Sequence, residues 1–196
     1  MKLYEFEAKK VFEKMGIPIP KQYGVIHSVK DLDAQKLEFP LMLKSMVLVG
    51  GRGKAGGIKK AKNREEAKKI AADLFTLKIK GFPVECVLLE EAVEEIGSCY
   101  VGITMDPATF NNVVIVSASG GIDIEQVAVK NPEAIVRKTI PDNAKEISKA
   151  TAEDLASTLS QSLKGKKEMT KTLTASLLRC TQLISDSMRD SVKSTR

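Results

Sequence analysis

The stretch Pro40-Leu41-Met42-Leu43-Lys44-Ser45-Met46-Val47-Leu48-Val49-Gly50-Gly51-Arg52-Gly53-Lys54-Ala55-Gly56-Gly57-Ile58-Lys59-Lys60-Ala61 decides the fold. An apolar run carrying a single lysine gives way to five glycines and two cations within the eight residues Gly50 to Gly57. Leu41 to Val49 has the composition of a strand, and Ile58 to Ala61 that of a strand returning from a glycine-rich hairpin. Glycine at such a tip accepts positive φ and, lacking Cβ, lets backbone N–H groups approach phosphate oxygens. Arg52 offers a two-pronged donor and Lys54 a point charge to the same anion. The plainer alternative is a surface hairpin with solvated charges.

Two familiar phosphate motifs fail here. Neither Lys54 nor Lys59 is followed by Ser or Thr, which excludes a P-loop. Gly51-Arg52-Gly53-Lys54-Ala55-Gly56 fits G-x-G-x-x-G, but Gly57-Ile58-Lys59-Lys60-Ala61 reads as extended where a dinucleotide fold needs a helix. The next helix starts at Asn63, a good N-cap residue, and runs to about Leu77. A glycine hairpin preceded by a lysine on its entering strand is the clamp of kinase-like and ATP-grasp enzymes.

Working outward, Tyr4 to Met15 reads as a helix stopped by Gly16, and Lys21 to Ile26 as a short strand. Ser28-Val29-Lys30-Asp31 has capping-box spacing and opens a short helix to about Leu37, and Gly81-Phe82-Pro83 is a break. Val84 to Val93 reads as a strand buried on both faces that ends on carboxylates. Glu90, Glu91, Glu94 and Glu95 are by residue type a solvated acidic loop, but in a nucleotide cleft one of them could accept from a base amino group or a ribose. Cys99 to Met105 and Asn112 to Ala118 form a hairpin, Ser119-Gly120-Gly121 turns into a short acidic helix, and Ile135 to Ile140 is a further strand. Thr151 caps a helix to about Leu163, and a Ser/Thr-rich amphipathic segment follows.

Composition narrows the classes. The 196 residues are 43% hydrophobic and 29% charged, as in an ordinary soluble protein, and no apolar run approaches the roughly 20 residues of a membrane span. With no signal peptide at the start, a cytoplasmic setting is expected. Cys86, Cys99 and Cys180 make no C-x-x-C pair, so neither a disulfide framework nor zinc is expected. A net charge of +6 without Trp and with 5% aromatics argues against nucleic acid and fits binding of nucleotide or CoA phosphates.

Tyr4-Glu5-Phe6-Glu7-Ala8-Lys9, Gly16-Ile17-Pro18-Ile19-Pro20, the Gly50 to Gly57 run, Leu89-Glu90-Glu91-Ala92 and Ser119 to Ala128 together resemble the β subunit of succinyl-CoA synthetase, in register from Met1 to about Ile140. The resemblance implies an α+β ATP-grasp fold: the N-terminal part, with a mixed or antiparallel sheet and the glycine-rich phosphate hairpin. It implies a lid lobe at about residues 21–97 and a second lobe, expected to be incomplete, from 1–20 and 98–196; the family's C-terminal flavodoxin-like CoA-ligase domain is a feature the sequence is expected to lack. Family nucleotide contacts fall on Lys44, Gly51, Arg52, Gly53, Glu90 and Val93; another, usually Glu, falls on Ser98. The implied cofactors are ATP or GTP and Mg2+, whose Asn and Asp ligands are expected beyond this chain. The implied reaction, a step of the tricarboxylic acid cycle, forms succinyl-CoA reversibly from succinate, CoA and a nucleoside triphosphate. It passes through a phosphohistidine on an α subunit, and His27, the sole histidine here, matches no family histidine. Other readings are an acetate or malate CoA synthetase, or a truncated non-catalytic fragment that binds nucleotide or docks a subunit. From Thr172 to Arg196 the resemblance fades; a frame shift at Val192–Arg196 that restores Glu-Ile-Asn-Pro is one account, testable on the gene.

Overall fold

The computed structural model describes residues 2–95, 97–120, 124–140, 144, 146–162 and 167–193, with backbone alone at 161–162, 167–168 and 183–193. The chain divides into two compact units, Met1–Glu94 and Glu95–Arg196. Residues 1–20 thus lie with the first unit, whereas the sequence reading assigned them to the second lobe.

The first unit holds helix α1 (Glu5–Lys14), strand β1 (Gln22–Ile26), a single helical turn α2 (Asp31–Ala34), β2 (Leu41–Met46), β3 (Ile58–Ala61), α3 (Arg64–Thr76), β4 (Lys78–Ile79), β5 (Phe82–Pro83) and β6 (Cys86–Glu91). Its main sheet has the order β1-β6-β2-β3 with every pairing antiparallel. Alternation sorts the side chains. Leu41 and Leu43 of β2 join Val87 and Leu89 of β6 in a core with Ala67, Ala71 and Leu74 of α3. On the opposite face Met46, Cys86 and Leu88 pack with Tyr4 and Phe6 at the start of α1. Being covered on both sides, β6 has five buried residues in succession, as its apolar run implied.

Local signals explain most boundaries. Asn63 Oδ1 accepts from the Glu66 N–H at 2.9 Å and starts α3. Gly16 adopts φ +70° just past the end of α1. Asp31 reaches back to the Ser28 N–H at 2.9 Å, as the capping box requires, yet α2 stops at Ala34 instead of Leu37. Its one buried side chain, Leu32, anchors a single turn. β2 ends at Met46, three residues before Val49, where the chain turns into the glycine loop. The expected break at Gly81-Phe82-Pro83 is a miniature hairpin, with β4 and β5 joined through Lys80 and Gly81, both at positive φ.

The second unit holds β7 (Tyr100–Met105), β8 (Asn112–Ser117), α4 (Ile124–Lys130), β9 (Ile135–Ile140), α5 (Lys149–Ser162) and α6 (Lys167–Lys193). Its antiparallel sheet runs β7-β8-β9, and Val114, Val116 and Ile140 pack with Leu155, Leu159 and Leu177 of the two long helices. Ser148 takes the capping position expected of Thr151: its Oγ accepts from the Thr151 N–H at 3.1 Å, so α5 begins three residues early. Among the described residues no helix is long and apolar enough to cross a membrane.

Candidate phosphate-binding site of the first unit

Strand register builds the site. Met42 stands opposite Glu90 and Lys44 opposite Leu88, so Lys44 and Glu90 are diagonal neighbours on one sheet face. That face meets α1, whose Glu5 and Lys9 sit four residues apart on one side of the helix. The four side chains interlock. Lys44 Nζ donates to Glu90 Oε1 at 2.7 Å and to Glu5 Oε1 at 3.2 Å. Lys9 donates to the other Glu90 oxygen and to Glu5 Oε1, the latter at 2.7 Å. Arg52 turns back from the glycine loop to pair with Glu5 Oε2, and its Nη1 donates to the Ser45 carbonyl at 3.3 Å.

This cluster is withdrawn from water. Glu90 is 2% exposed, which removes it from the solvated acidic loop suggested by residue type, while Glu91, Glu94 and Glu95 are exposed. Burial pushes the Lys9 ammonium below its ordinary value, the neighbouring Lys44 adds to this, and Glu90 opposes it. Burial also lowers Arg52, against the attraction of Glu90. Three cations face two carboxylates, leaving one surplus positive charge in a largely desolvated place. Such a surplus is costly unless an anion arrives to meet it.

The loop above supplies further donors. Gly51 takes φ +91° and Gly56 φ +75°, conformations that L side chains rarely adopt. The turn is closed by Ala55 N–H to Gly51 carbonyl at 3.1 Å, Gly57 N–H to Arg52 carbonyl at 2.8 Å, and Ser45 N–H to Gly57 carbonyl at 2.7 Å. Among the described residues no backbone carbonyl accepts from the N–H of Gly51, Arg52 or Gly53. Three successive N–H groups without a backbone acceptor beside the Arg52 guanidinium are donors that an anion could use.

The structure therefore brings together Lys44, Gly51, Arg52, Gly53 and Glu90. Two other expected contacts lie outside this cluster in the chain. Val93 lies past the end of β6 and is 57% exposed. Ser98 belongs to the second unit, where its carbonyl accepts from the Gly120 N–H at 3.3 Å. A Cβ on Gly120 would stand 2.5 Å from the Ser98 carbonyl carbon, so only glycine fits there. Glu90, expected near a base or ribose, has both carboxylate oxygens engaged by lysines. Sequence reasoning missed Glu5 and Lys9 as site residues. Their signal was the i, i+4 spacing of opposite charges on the first helix, which reads equally well as a solvated ion pair. Among the described residues no three His, Cys, Asp or Glu side chains converge to hold a metal, and the two carboxylates of the cluster are occupied by cations. The cluster fits an anion and does not fit Mg2+.

A strand-loop-strand hairpin with an arginine inside the loop and a lysine on the entering strand is the arrangement that the sequence expectation of an ATP-grasp clamp requires. Residues 2–186 match the ATP-grasp domain family, and the chain belongs to it. The match passes beyond Thr172, where resemblance by motif fades, and so extends the sequence reading. Succinate–CoA ligase [ADP-forming] subunit β of Halobacterium salinarum is 47% identical over 143 residues, covering 71% of this chain and 37% of that protein. The protein of the same name from Methanocaldococcus jannaschii is 45% identical over 137 residues, covering 70% of this chain and 37% of its own length. The chain thus spans a little over a third of the length of these curated relatives. Among solved structures, dinucleotide forming acetyl-coenzyme A synthetase 1 of Ca. Korarchaeum cryptofilum superposes with a TM-score of 0.68 at 20% identity, covering 93% of this chain and 79% of that one. This likeness speaks to the fold, an α+β arrangement of helices and antiparallel sheets.

Proposed function

We propose that the first unit carries the nucleotide-phosphate clamp of a succinate–CoA ligase β subunit. The observation that carries this reading is the half-buried five-residue charge cluster with one surplus cation, joined through Arg52 to a loop whose Gly51, Arg52 and Gly53 N–H groups meet no backbone carbonyl. In this reading the loop N–H groups and the Arg52 guanidinium bind the terminal phosphates. Lys44 adds a fixed positive charge, and Glu90 acts by holding Lys44 and Lys9 in place. Glu5 pairs with both Arg52 and Lys44, so a phosphate would compete with it for the same donors. Preorganised cations of this kind stabilise the charge that develops during phosphoryl transfer without reorganising at that moment.

ATP is the proposed nucleotide, in line with relatives named ADP-forming. The complete reaction, formation of succinyl-CoA from succinate and CoA through a phosphohistidine on an α subunit, is proposed for the protein whose nucleotide-binding part this is. Mg2+ is assigned to ligands outside the described cluster. Val93 and Ser98 remain proposed contacts, Ser98 by its position in the sequence alone. The lid role of residues 21–97 is likewise proposed. Cys86, Cys99 and Cys180 are free thiols raised by burial, which suits a reducing cytoplasmic setting.

Calorimetric titration of the chain with Mg-ATP and Mg-GTP tests the clamp. Saturable binding is expected, weakened at least about tenfold by Arg52→Ala, the scale of one lost charge-assisted hydrogen bond. A folded chain that takes up neither nucleotide at millimolar concentration would overturn the assignment.

A further inference from the structure

The hairpin formed by β4 and β5 is the smallest sheet in the molecule, and its tip carries a backbone anomaly. Lys80 takes φ +51° and Gly81 φ +88°. Two successive residues at positive φ form the tight turn in which Asn-Gly or Gly-Gly is the ordinary pair, and a lysine there gives up backbone energy. The hairpin is also joined to the glycine loop. A Cβ on Gly57 would meet Ile79 Cδ1 at 2.9 Å and the Arg52 carbonyl at 3.0 Å, so Gly57 is small because Ile79 and the loop backbone fill its space. One residue on, the Lys80 side chain lies over Gly51: a Cβ there would stand 3.5 Å from Lys80 Cε and 3.8 Å from its Nζ. Among the described residues no carboxylate pairs with this ammonium, and the Gly51 N–H donates to no backbone carbonyl.

We propose that Lys80 is a phosphate-binding cation of the same site, held beside Gly51 of the glycine loop by the β4–β5 turn and contacting the polyphosphate of a bound nucleoside triphosphate. The inference rests on the nucleotide reading above and extends it to a residue outside the glycine loop and the main sheet. Anchoring through Ile79 fixes the hairpin, and the four-carbon lysine stem then sweeps its charge across the loop mouth. The unusual residue at a left-handed position is explained by what its side chain reaches.

The test separates charge from backbone. Lys80→Asn suits the left-handed turn better than lysine while removing the cation, and Lys80→Arg keeps a cation. Calorimetry of the full chain with ATP and with AMP, beside thermal unfolding, is the readout. Lys80→Asn is expected to weaken ATP about tenfold, leave AMP within about twofold and unfold at no lower temperature, with Lys80→Arg close to the parent. Unchanged ATP affinity in Lys80→Asn, with Arg52→Ala still impaired, overturns the role of Lys80 and leaves the clamp standing. Equal weakening toward ATP and AMP also overturns it, since Lys80 would then act away from the outer phosphates. Failure of the parent chain to bind ATP overturns the clamp and this inference together.

Discussion

The two units bury polar groups in opposite ways. The first encloses ionised side chains: Glu90 at 2% exposure, with Lys9 at 13% and Lys44 at 18%, linked across helix and sheet. Among the described residues, the buried polar residues of the second are hydroxyls, Ser117, Ser160, Thr174 and Thr181. Two of these satisfy themselves within one helix turn: Thr174 Oγ1 donates to the Thr170 carbonyl at 2.8 Å, and Thr181 Oγ1 to that of Leu177 at 3.1 Å. A hydroxyl that bonds its own helix costs little and needs no function to explain it. A carboxylate buried between two lysines is a poor way to gain stability, because desolvation of each ion costs several kcal/mol.

That contrast can be broken by removing one member on each side. Glu90→Leu leaves Lys9 and Lys44 without their buried counter-ion and is expected to cost about 3 kcal/mol or more, read as faster amide exchange at Leu88 and Leu89. If exchange there were unaltered, the cluster would be no more than a surface ion pair. Thr181→Val removes the acceptor of the Ile147 N–H, now at 3.4 Å, and is expected to cost about 1 kcal/mol in urea unfolding. A loss as large as that for Glu90→Leu would erase the distinction between the units.

The smallest effect concerns an exposed carboxylate and sharpens the comparison from the solvent side. Asp31 is held below its ordinary value of 3.8 by the His27 N–H first, then by the Ser28 hydroxyl and N–H. A carboxyl whose folded-state value is depressed stabilises the fold above its unfolded value. That contribution declines as the pH falls through the lower folded-state value. Acid titration of the parent and Asp31→Asn should therefore diverge above pH 3.8 and converge below the folded-state value. Curves that stay parallel down to the most acid pH would remove Asp31 as a cap.

Legibility followed the range of the physics. The glycine loop, the Asn63 cap and the doubly buried β6 were readable because each depends on neighbours in sequence: positive φ, an N-cap hydrogen bond, an unbroken apolar run. Glu90 was quoted with the right motif, yet residue type alone sent it toward solvent, since burial is a property of what packs above a strand. The β4–β5 hairpin was hidden in what read as a break, because two-residue strands have no periodicity to show.

By itself the sequence determined that this is a glycine hairpin between two strands, and neither a P-loop nor a dinucleotide turn. A glycine hairpin returning as a strand excludes P-loop and dinucleotide geometries on local grounds, and the order of motifs pointed to the family. Only the tertiary structure decided that Glu5 and Lys9 of the first helix complete the cluster of Lys44, Arg52 and Glu90, and that Lys80 overlies Gly51. Glu90 and Lys9 are 81 residues apart in the chain. No local preference links them; they meet because β-sheet register puts Lys44 and Glu90 on one face, and helix α1 lies on that face.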